Sequence, residues 1–331
     1  MGAETREARD REGHEFHSCQ QSSQLMIAAL AAAVGPFHAT GLARQPPPRR
    51  IAWALSILVF IAGQLSYSQP SSDAHASSYL GFDRNTYPGD ANLKALHQTF
   101  SYAGYWLNHP PGEKANSWTG HRSAVESAGF GFLVLFNGRL YAELKSADLK
   151  SAANAGKLGQ SDAHSAAAAA RREGFPAQTI IFLDQEQGGR MLPEQQAYIY
   201  AWVDTITAAG FRAGIYCSGI PNKDDDNVVT AEDIRTHAGN RDIVFWSIND
   251  ACPPAPGCAF PAHPPRPSES GVPFAEVWQF AQSPRRKDVA AHCTNYSRDG
   301  ECYPPGSPSS LQMHIDVNTA TSPDPSHGRT R

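Results

Sequence analysis

The stretch that decides the fold is Ile180-Ile181-Phe182-Leu183-Asp184-Gln185-Glu186-Gln187, an apolar run followed by two carboxylates one residue apart. A short apolar run with β-branched residues is typical of a strand covered on both faces, as in a parallel sheet. Side chains alternate between the faces of a strand, so Asp184 and Glu186 are predicted on one face, about 6.6 Å apart along it. Proteins accept the solvation cost of such buried carboxylates mainly where a proton moves or a charge is stabilised. This stretch is therefore the first candidate site.

Apolar runs of similar length recur along the chain and alternate with helical patterns, which favours an α/β fold with a parallel sheet. The predicted strands are residues 79–83, 101–108, 131–137, 179–186, 213–218, 242–249, 276–282 and 313–318. Eight strands close a TIM-type (β/α)8 barrel, and its typical ~250 residues are close to the 255 that follow residue 76. We therefore predict a single TIM-type barrel over residues 77–320 and a disordered tail over residues 321–331.

Helical patterns lie between several of these strands. The clearest covers residues 193–209, with Pro193 near its start, Glu194 in its first turn and Gly210 after its end. Others are predicted over residues 91–99, 119–128, 161–172 and 230–238. An open doubly wound sheet is the alternative fold. It is disfavoured because no Gly-x-Gly-x-x-Gly motif follows the first strand and no phosphate-binding loop occurs elsewhere.

Residues 1–76 are predicted to be a disordered leader with a signal or anchor segment. Arg49-Arg50 precede the apolar run 51–63, and Ala74-His75-Ala76 provides a small-x-small cleavage site, an order typical of a secretory signal peptide. The run is shorter than the ~20 residues of a comfortable membrane span. Export is the preferred interpretation. The alternative is an uncleaved anchor helix, which would be the protein's one contact with a membrane.

Charge and cysteine content narrow the class of protein. A net charge of −4 gives no basic surface of the kind that non-specific nucleic-acid binding requires. Two short-loop disulfides, Cys252 with Cys258 and Cys293 with Cys302, are compatible with an oxidising compartment, whereas Cys217 is expected to be a buried, inert thiol. Metal-dependent hydrolysis is disfavoured because no histidine pair has ligand-type spacing. We expect a monomer without metal or other cofactor.

The predicted strands carry acidic residues where they end, which is where the functional groups of a (β/α)8 barrel gather. The first strand ends at Asp83, the fourth at Asp184 and Glu186, and the eighth at Asp316. Because the first and last strands are neighbours in a closed barrel, Asp83 and Asp316 are expected to approach each other. The other rim positions are expected to bind substrate through rings and an amide: Tyr216, Trp246, Trp278 and Gln279.

Aromatic side chains beside several carboxylates are typical of a carbohydrate cleft, because sugars present C–H faces for stacking and hydroxyls for acceptors. Clustered carboxylates repel one another as anions, which raises the pKa of at least one of them. A carboxyl group with a raised pKa can donate a proton to a glycosidic oxygen near neutral pH. We assign this role to Glu186.

Five short motifs carry a family resemblance: Gly81-Phe82-Asp83, Phe182-Leu183-Asp184-Gln185-Glu186, Gly214-Ile215-Tyr216, Trp278-Gln279-Phe280 and Ile315-Asp316-Val317-Asn318. In this order they resemble the signature of the family 25 lysozymes. They are more similar still to a related glycoside-hydrolase-like domain family of exported bacterial proteins, formerly a domain of unknown function. The resemblance covers about residues 79–320.

The resemblance implies a secreted or cell-envelope protein that hydrolyses the β-1,4 link after N-acetylmuramic acid in peptidoglycan, the cell-wall polysaccharide. By position, Glu186 is similar to the general acid of these enzymes. Asp184 is similar to the carboxylate that orients the substrate's acetamido group, whose oxygen acts as the nucleophile. Asp83 and Asp316 are similar to rim carboxylates that hold the substrate. The alternative is a catalytically silent barrel that binds carbohydrate without cleaving it.

Overall fold

The computed structural model describes residues 78–145, 151–249, 263–281 and 315–330, which lie in one compact unit, Ala76–Arg331. The predicted leader, the apolar run 51–63 and the four cysteines of the two predicted disulfides lie outside these residues. Among the helices described, none combines the length and the apolar character that a membrane span requires. Cys217 is completely buried, as expected, and burial raises the pKa of its thiol.

A closed barrel of eight strands, arranged in sequence order, forms the centre of the molecule. The strands are β1 Tyr79–Asp83, β2 Tyr102–Trp106, β3 Gly131–Asn137, β4 Ile180–Asp184, β5 Arg212–Ser218, β6 Ile243–Ile248, β7 Ala275–Ala281 and β8 Asp316–Ala320. β1 to β7 pair in parallel, whereas β8 is antiparallel to both β7 and β1. The predicted eight-stranded α/β barrel is confirmed, whereas the predicted parallel sheet is not, because β8 is reversed.

Helices follow each of the first five strands. They are α1 Asp90–His97, α2 Arg122–Ser127, α3 Tyr141–Leu144, α4 Ala152–Glu173, α5 Pro193–Ala208 and α6 Thr230–His237. Between β6 and β7 the described residues form a short 3-10 helix, Pro267–Glu269.

α4 starts nine residues before its prediction, because Ser151 caps it and Gly159 lets it approach α5. A Cβ atom at Gly159 would lie 2.2 Å from the carbonyl oxygen of Tyr198.

Large side chains fill the barrel, and glycines make room for them. The ring centroid of Trp246 lies 5.9 Å from that of Phe182 and 4.5 Å from that of Tyr216. A Cβ atom at Gly214 would lie 2.4 Å from Cδ1 of Phe182, and one at Gly104 would lie 2.5 Å from Cβ of Asp83. The glycines on β2 and β5 therefore create the space that these interior side chains occupy.

Asp316 begins a strand instead of ending one. The sequence predicts a strand over residues 313–318, but β8 starts at Asp316 and runs opposite to its neighbours. The first residue of an antiparallel strand lies at the end of the barrel where the parallel strands finish. Asp316 is therefore the register partner of Asp83, so the expected pairing is confirmed although the strand direction is not.

The chain after β8 is held against the barrel, which contradicts the predicted disorder of residues 321–331 wherever that segment is described. The backbone N–H of Ser326 donates to the carbonyl of Phe132, its hydroxyl accepts from the N–H of Val134, and its carbonyl accepts from the N–H of Ile180, each at 2.8 Å. Asp324 accepts a further bond from the N–H of Phe132 at 2.8 Å. This segment thus bonds to backbone groups of β3 and β4, and its own composition does not reveal these partners.

Candidate active site

Asp83 is a buried carboxylate at the end of β1, with 6% of its surface exposed. Its Oδ1 accepts a hydrogen bond of 2.6 Å from Nδ2 of Asn318 and one of 3.1 Å from Nε2 of Gln279. Burial, followed by the charge of the half-buried Asp316, raises the pKa of Asp83 to about 8, and the two amide bonds oppose this shift. Asp83 therefore keeps its proton in much of the population at neutral pH.

Two aromatic side chains fix the orientation of these amides. The hydroxyl of Tyr216 donates to Oε1 of Gln279 at 2.8 Å, and Nε1 of Trp246 donates to Oδ1 of Asn318 at 3.0 Å. With its oxygen bonded to a ring, each amide presents its nitrogen to Asp83. Tyr216, Trp246 and Gln279 were predicted from the sequence, whereas Asn318 was not. The signal for Asn318 was its spacing of two from Asp316, which places both on one face of β8.

Asp184 is the second buried carboxylate, with 4% of its surface exposed, and it ends β4 beside Tyr216 of β5. Its Oδ1 atom is buried and makes no hydrogen bond. Burial raises the pKa of Asp184 well above its ordinary value, and the charges of Glu186 and Asp83 add to this effect. Asp184 is therefore a buried carboxyl group with one oxygen whose hydrogen-bonding capacity is unused.

Glu186 lies beyond the end of β4 and is exposed, whereas the sequence predicts it on the strand itself. Its charge nevertheless raises the pKa of both Asp184 and Tyr216. The Glu186 carboxylate therefore lies in the same region as the side chains of these two residues. The structure thus brings together the four predicted carboxyl groups, from the ends of β1 and β4 and the start of β8. Their environments differ, since two are buried, Asp316 is half-buried and Glu186 is exposed.

Trp278 stands apart from this cluster. It precedes Gln279 on β7, so its side chain leaves the opposite face of the strand. Its Nε1 donates to the carbonyl of Asn249 at 2.8 Å, and its ring centroid lies 5.7 Å from that of Phe280. The structure therefore places seven of the eight predicted site residues around one end of the barrel and Trp278 on the outer face of β7.

Two tryptophans missed by the sequence analysis support the backbone next to Asp83. Nε1 of Trp106 and Nε1 of Trp118 both donate to the carbonyl oxygen of Arg84, at 3.2 and 3.1 Å. Both rings are buried, with exposed fractions of 3% or less. Because Arg84 directly follows Asp83, these bonds fix the direction in which the chain leaves β1. Nothing in the spacing of the tryptophans indicates this shared acceptor.

The cluster is suited to proton transfer and to hydrogen bonding of hydroxyl-rich ligands. Two of its carboxyl groups have pKa values raised by burial, so they can retain protons near neutral pH. In the described ranges there is no group of three or more histidine, cysteine or acidic residues arranged to hold a metal ion. The side chains of the cluster itself supply carboxyl, amide and phenol groups.

Comparison with known proteins gives several structural likenesses, while no curated protein matches the sequence. An uncharacterized B. stearothermophilus protein is 21% identical, with 73% of this chain and 95% of that chain covered and a TM-score of 0.43. The Tat-secreted protein Rv2525c of Mycobacterium tuberculosis, in complex with L-tartrate, is 14% identical, with coverage of 76% and 98% and a TM-score of 0.43. A family 25 glycosyl hydrolase from Bacillus anthracis is 10% identical, with 73% of this chain and 88% of that chain covered and a TM-score of 0.39.

A family model also matches the chain. The match covers residues 103–251, from within β2 to just past β6, and so includes Asp184, Glu186, Tyr216 and Trp246. The model describes an Rv2525c-like, glycoside hydrolase-like domain. The resemblance predicted from the sequence is thereby confirmed, and residues 103–251 are identified as a match to the Rv2525c-like, glycoside hydrolase-like domain family.

Proposed function

We propose that this protein is an exported glycoside hydrolase that cleaves peptidoglycan, or a related N-acetylated glycan, by lysozyme-type acid catalysis. The observation that carries the proposal is the convergence of Asp83, Asp184, Glu186 and Asp316 at one end of the barrel, where their charges act on one another. Pairs of carboxyl groups in unlike environments are what glycosidic cleavage uses. The glycoside hydrolase-like family match supports this chemistry.

In the proposed reaction Glu186 donates its proton to the glycosidic oxygen as the bond from that oxygen to the anomeric carbon breaks. The carbonyl oxygen of the substrate's own acetamido group attacks the anomeric carbon and forms a cyclic intermediate. The Asp184 carboxyl group accepts the acetamido N–H and so orients the acetamido group. Water then attacks the anomeric carbon, and the bond from this carbon to the acetamido oxygen breaks, which restores the acetamido group. The Glu186 carboxylate takes a proton from the water and so becomes the acid again.

The remaining residues shape the substrate site around this step. Asp83, with its raised pKa, keeps the cleft from carrying a full set of negative charges, which would otherwise repel the developing carboxylate of Glu186. Asp316 is half-buried at the start of β8, and its charge helps to raise the pKa of Asp83. Tyr216, Gln279 and Trp246 hold the hydrogen-bonded frame that fixes Asp83. In this proposal a mature extracytoplasmic monomer acts on cell-wall polysaccharide.

A catalytically silent carbohydrate-binding barrel is the second candidate, and the exposure of Glu186 is the observation that favours it. General acids with raised pKa values are commonly tuned by burial in apolar surroundings. Glu186 lies on the exposed side of the cluster and is not enclosed by apolar side chains in this way. In this second reading the carboxyl and amide groups bind sugar hydroxyls and no bond is broken.

Muropeptide release from purified peptidoglycan separates the two candidates. We expect Glu186→Gln to reduce the rate of release by at least about 100-fold, the usual effect of removing a general acid. Glu276→Gln, which changes an exposed glutamate on β7, is the matched control and should release muropeptides at the wild-type rate. Equal release by wild type and Glu186→Gln would contradict the assigned acid. Glycan binding by a wild type that releases nothing would favour the silent barrel.

A further inference from the structure

The loop that carries Glu186 is anchored by side chains along its second half. We call residues 185–192, between β4 and α5, the Glu186 loop. Its last four backbone N–H groups donate to side-chain oxygens: Gly189 to Thr230 Oγ1 at 2.8 Å, Arg190 to Asp225 Oδ2 at 2.6 Å, Met191 to Asp233 Oδ2 at 2.8 Å and Leu192 to Gln195 Oε1 at 3.0 Å. Three of these acceptors come from the chain between β5 and the end of α6.

Thr230 makes the most complete of these contacts. Its hydroxyl accepts from the N–H of Gly189 and donates to the carbonyl of the same residue at 3.1 Å. Thr230 has no exposed surface, so both bonds are made in a buried environment. Gly189 has a φ of +97°, and a Cβ atom there would lie 2.6 Å from Nδ2 of Asn222. The glycine thus allows the loop to lie directly against the β5–α6 connection.

Asp225 is itself held in place by a closed turn. The N–H of Asn222 donates to the carbonyl of Val228 at 2.9 Å, and the N–H of Asn227 donates to the carbonyl of Asn222 at 2.9 Å. Asp226 and Asn227 have φ values of 50° and 59°, the left-handed conformation that such a turn requires. The Asp225 carboxylate also lies 3.6 Å from the guanidinium of Arg190. The hydrogen bonds of this turn therefore hold the Asp225 carboxylate in place independently of its contact with the Glu186 loop.

Capping of α5 accounts for only one of the four bonds. The bond from Leu192 to Gln195 lies within the first turn of α5 and satisfies a group that a helix start leaves unpaired. The other three join the loop to a different β/α connection. They fix residues 189–191, while the bond from the N–H of Gln185 to the carbonyl of Tyr216 at 2.9 Å fixes the start of the loop. Glu186 lies between the two anchored parts.

We propose that Thr230, Asp225 and Asp233 are positioning residues that hold Glu186 over the cleft through the Glu186 loop. The inference rests on the proposed function, since it concerns the residue assigned there as the acid. Because Glu186 is beyond its strand, the sheet fixes only the residue before it, Gln185. Side-chain contacts hold the residues after it: Gln187 accepts from the N–H of Tyr141 at 2.7 Å, and the three anchoring side chains hold residues 189–191. A reacting group held in one geometry gains rate mainly in the chemical step, and small displacements are costly.

The test uses Thr230→Val in the full chain, since valine keeps the shape of threonine and removes both bonds to Gly189. We expect kcat for muropeptide release to fall on the order of 10- to 100-fold, with KM changed by less than about threefold. Thr230→Ser restores the hydroxyl and should recover most of kcat. Thr236→Val is the matched control, because that hydroxyl also lies on α6 but donates to the carbonyl of Glu232 within the helix, at 2.7 Å.

Backbone hydrogen exchange, measured on the same variants, separates the possible failures. Faster exchange at residues 189–191 in Thr230→Val with kcat unchanged would overturn the positioning role. If the wild type releases nothing, the hydrolase assignment fails alone, and the inference is then judged by the Kd for solubilised peptidoglycan fragments. Binding about tenfold weaker in Thr230→Val would support it, and equal binding would overturn it. A wild type that neither cleaves nor binds would overturn both.

Discussion

Asp83 shows how one residue can matter for both stability and site. Its carboxyl group is buried, accepts two amide hydrogen bonds and has a pKa raised to about 8. The folded protein therefore binds more protons than the unfolded chain from about pH 4, near the ordinary pKa of aspartate, to about pH 8. Stability falls as pH rises through this window, because the folded state must then accept a buried charge.

Asp83→Asn should remove the part of this pH dependence that Asp83 contributes, while Asp184, whose pKa is also raised, keeps its own part. Asparagine resembles the protonated acid, so we expect a melting temperature close to wild type at pH 5. At pH 8.5 it should exceed wild type by several degrees, at about 2–4 °C per kcal/mol for a domain of this size. Thermal unfolding followed by circular dichroism at both pH values measures the difference. Asp242→Asn, at an aspartate whose side chain is 83% exposed, is the control; parallel behaviour of both variants would contradict the raised pKa.

Single residues were predictable from the sequence where strand alternation and polarity coincide. Asp83 and Asp184 each end a buried run, and a barrel brings such ends together. The spacing of Asn318 from Asp316 placed it on the right face of β8, but its role depends on Asp83 and Trp246, which are distant along the chain. The backbone carbonyl of Arg84, shared by two tryptophans, escaped prediction for the same reason. Hydrogen bonds between remote residues leave no periodic mark in a sequence.

At the scale of elements, β1 and β3 have the bounds that the sequence predicts, whereas β4 and β8 do not. The alternation Phe182, Asp184, Glu186 continues past the last paired residue, so the pattern alone does not show where β4 ends. Alternation also carries no information on direction, which is why the reversal of β8 was missed. Pairing direction is set by the connections and by closure against β1 and β7.

Gly214→Ala tests the space inside the barrel. The added Cβ atom would lie 2.4 Å from Cδ1 of Phe182, so the ring of a packed interior must shift. We expect a loss of about 1–3 kcal/mol in the free energy of unfolding, as for other overpacked cores. Denaturant unfolding measures it. Gly156→Ala is the control, since its nearest atoms lie 3.6 and 3.8 Å away and alanine favours helix; equal stability of Gly214→Ala and wild type would contradict the tight fit.

At the scale of the whole molecule, the candidate site and the contacts of the C-terminal tail, residues 321–330, lie at opposite ends of the barrel. The carboxyl cluster lies where the parallel strands finish, and the tail is bonded to Phe132 and Ile180, near the starts of β3 and β4. In barrels of this kind the residues at the C-terminal ends of the parallel strands perform the function, and those at the N-terminal ends contribute to stability. Changes to the tail should therefore affect folding without affecting the chemistry.

Ser326→Ala tests this division. It leaves the N–H of Val134 without its buried acceptor, so we expect a loss of about 1–3 kcal/mol in unfolding free energy. The rate of muropeptide release per folded molecule should stay at the wild-type value. Calorimetry and the release assay measure the two effects. Ser165→Ala, at an exposed serine on α4, should change neither, and a reduced rate in fully folded Ser326→Ala would contradict the division.

The position of β8 at the end of the barrel's sequence determines when the barrel can close during synthesis. Asn318 and Asp83 are bonded at 2.6 Å although 235 residues separate them along the chain. Until residues 316–320 have left the ribosome, β1 and β7 are two open edges with nothing between them. Ordering so long a loop costs chain entropy before any contact repays it, and such topologies fold slowly. The barrel of a nascent chain therefore stays open until its final strand has been made.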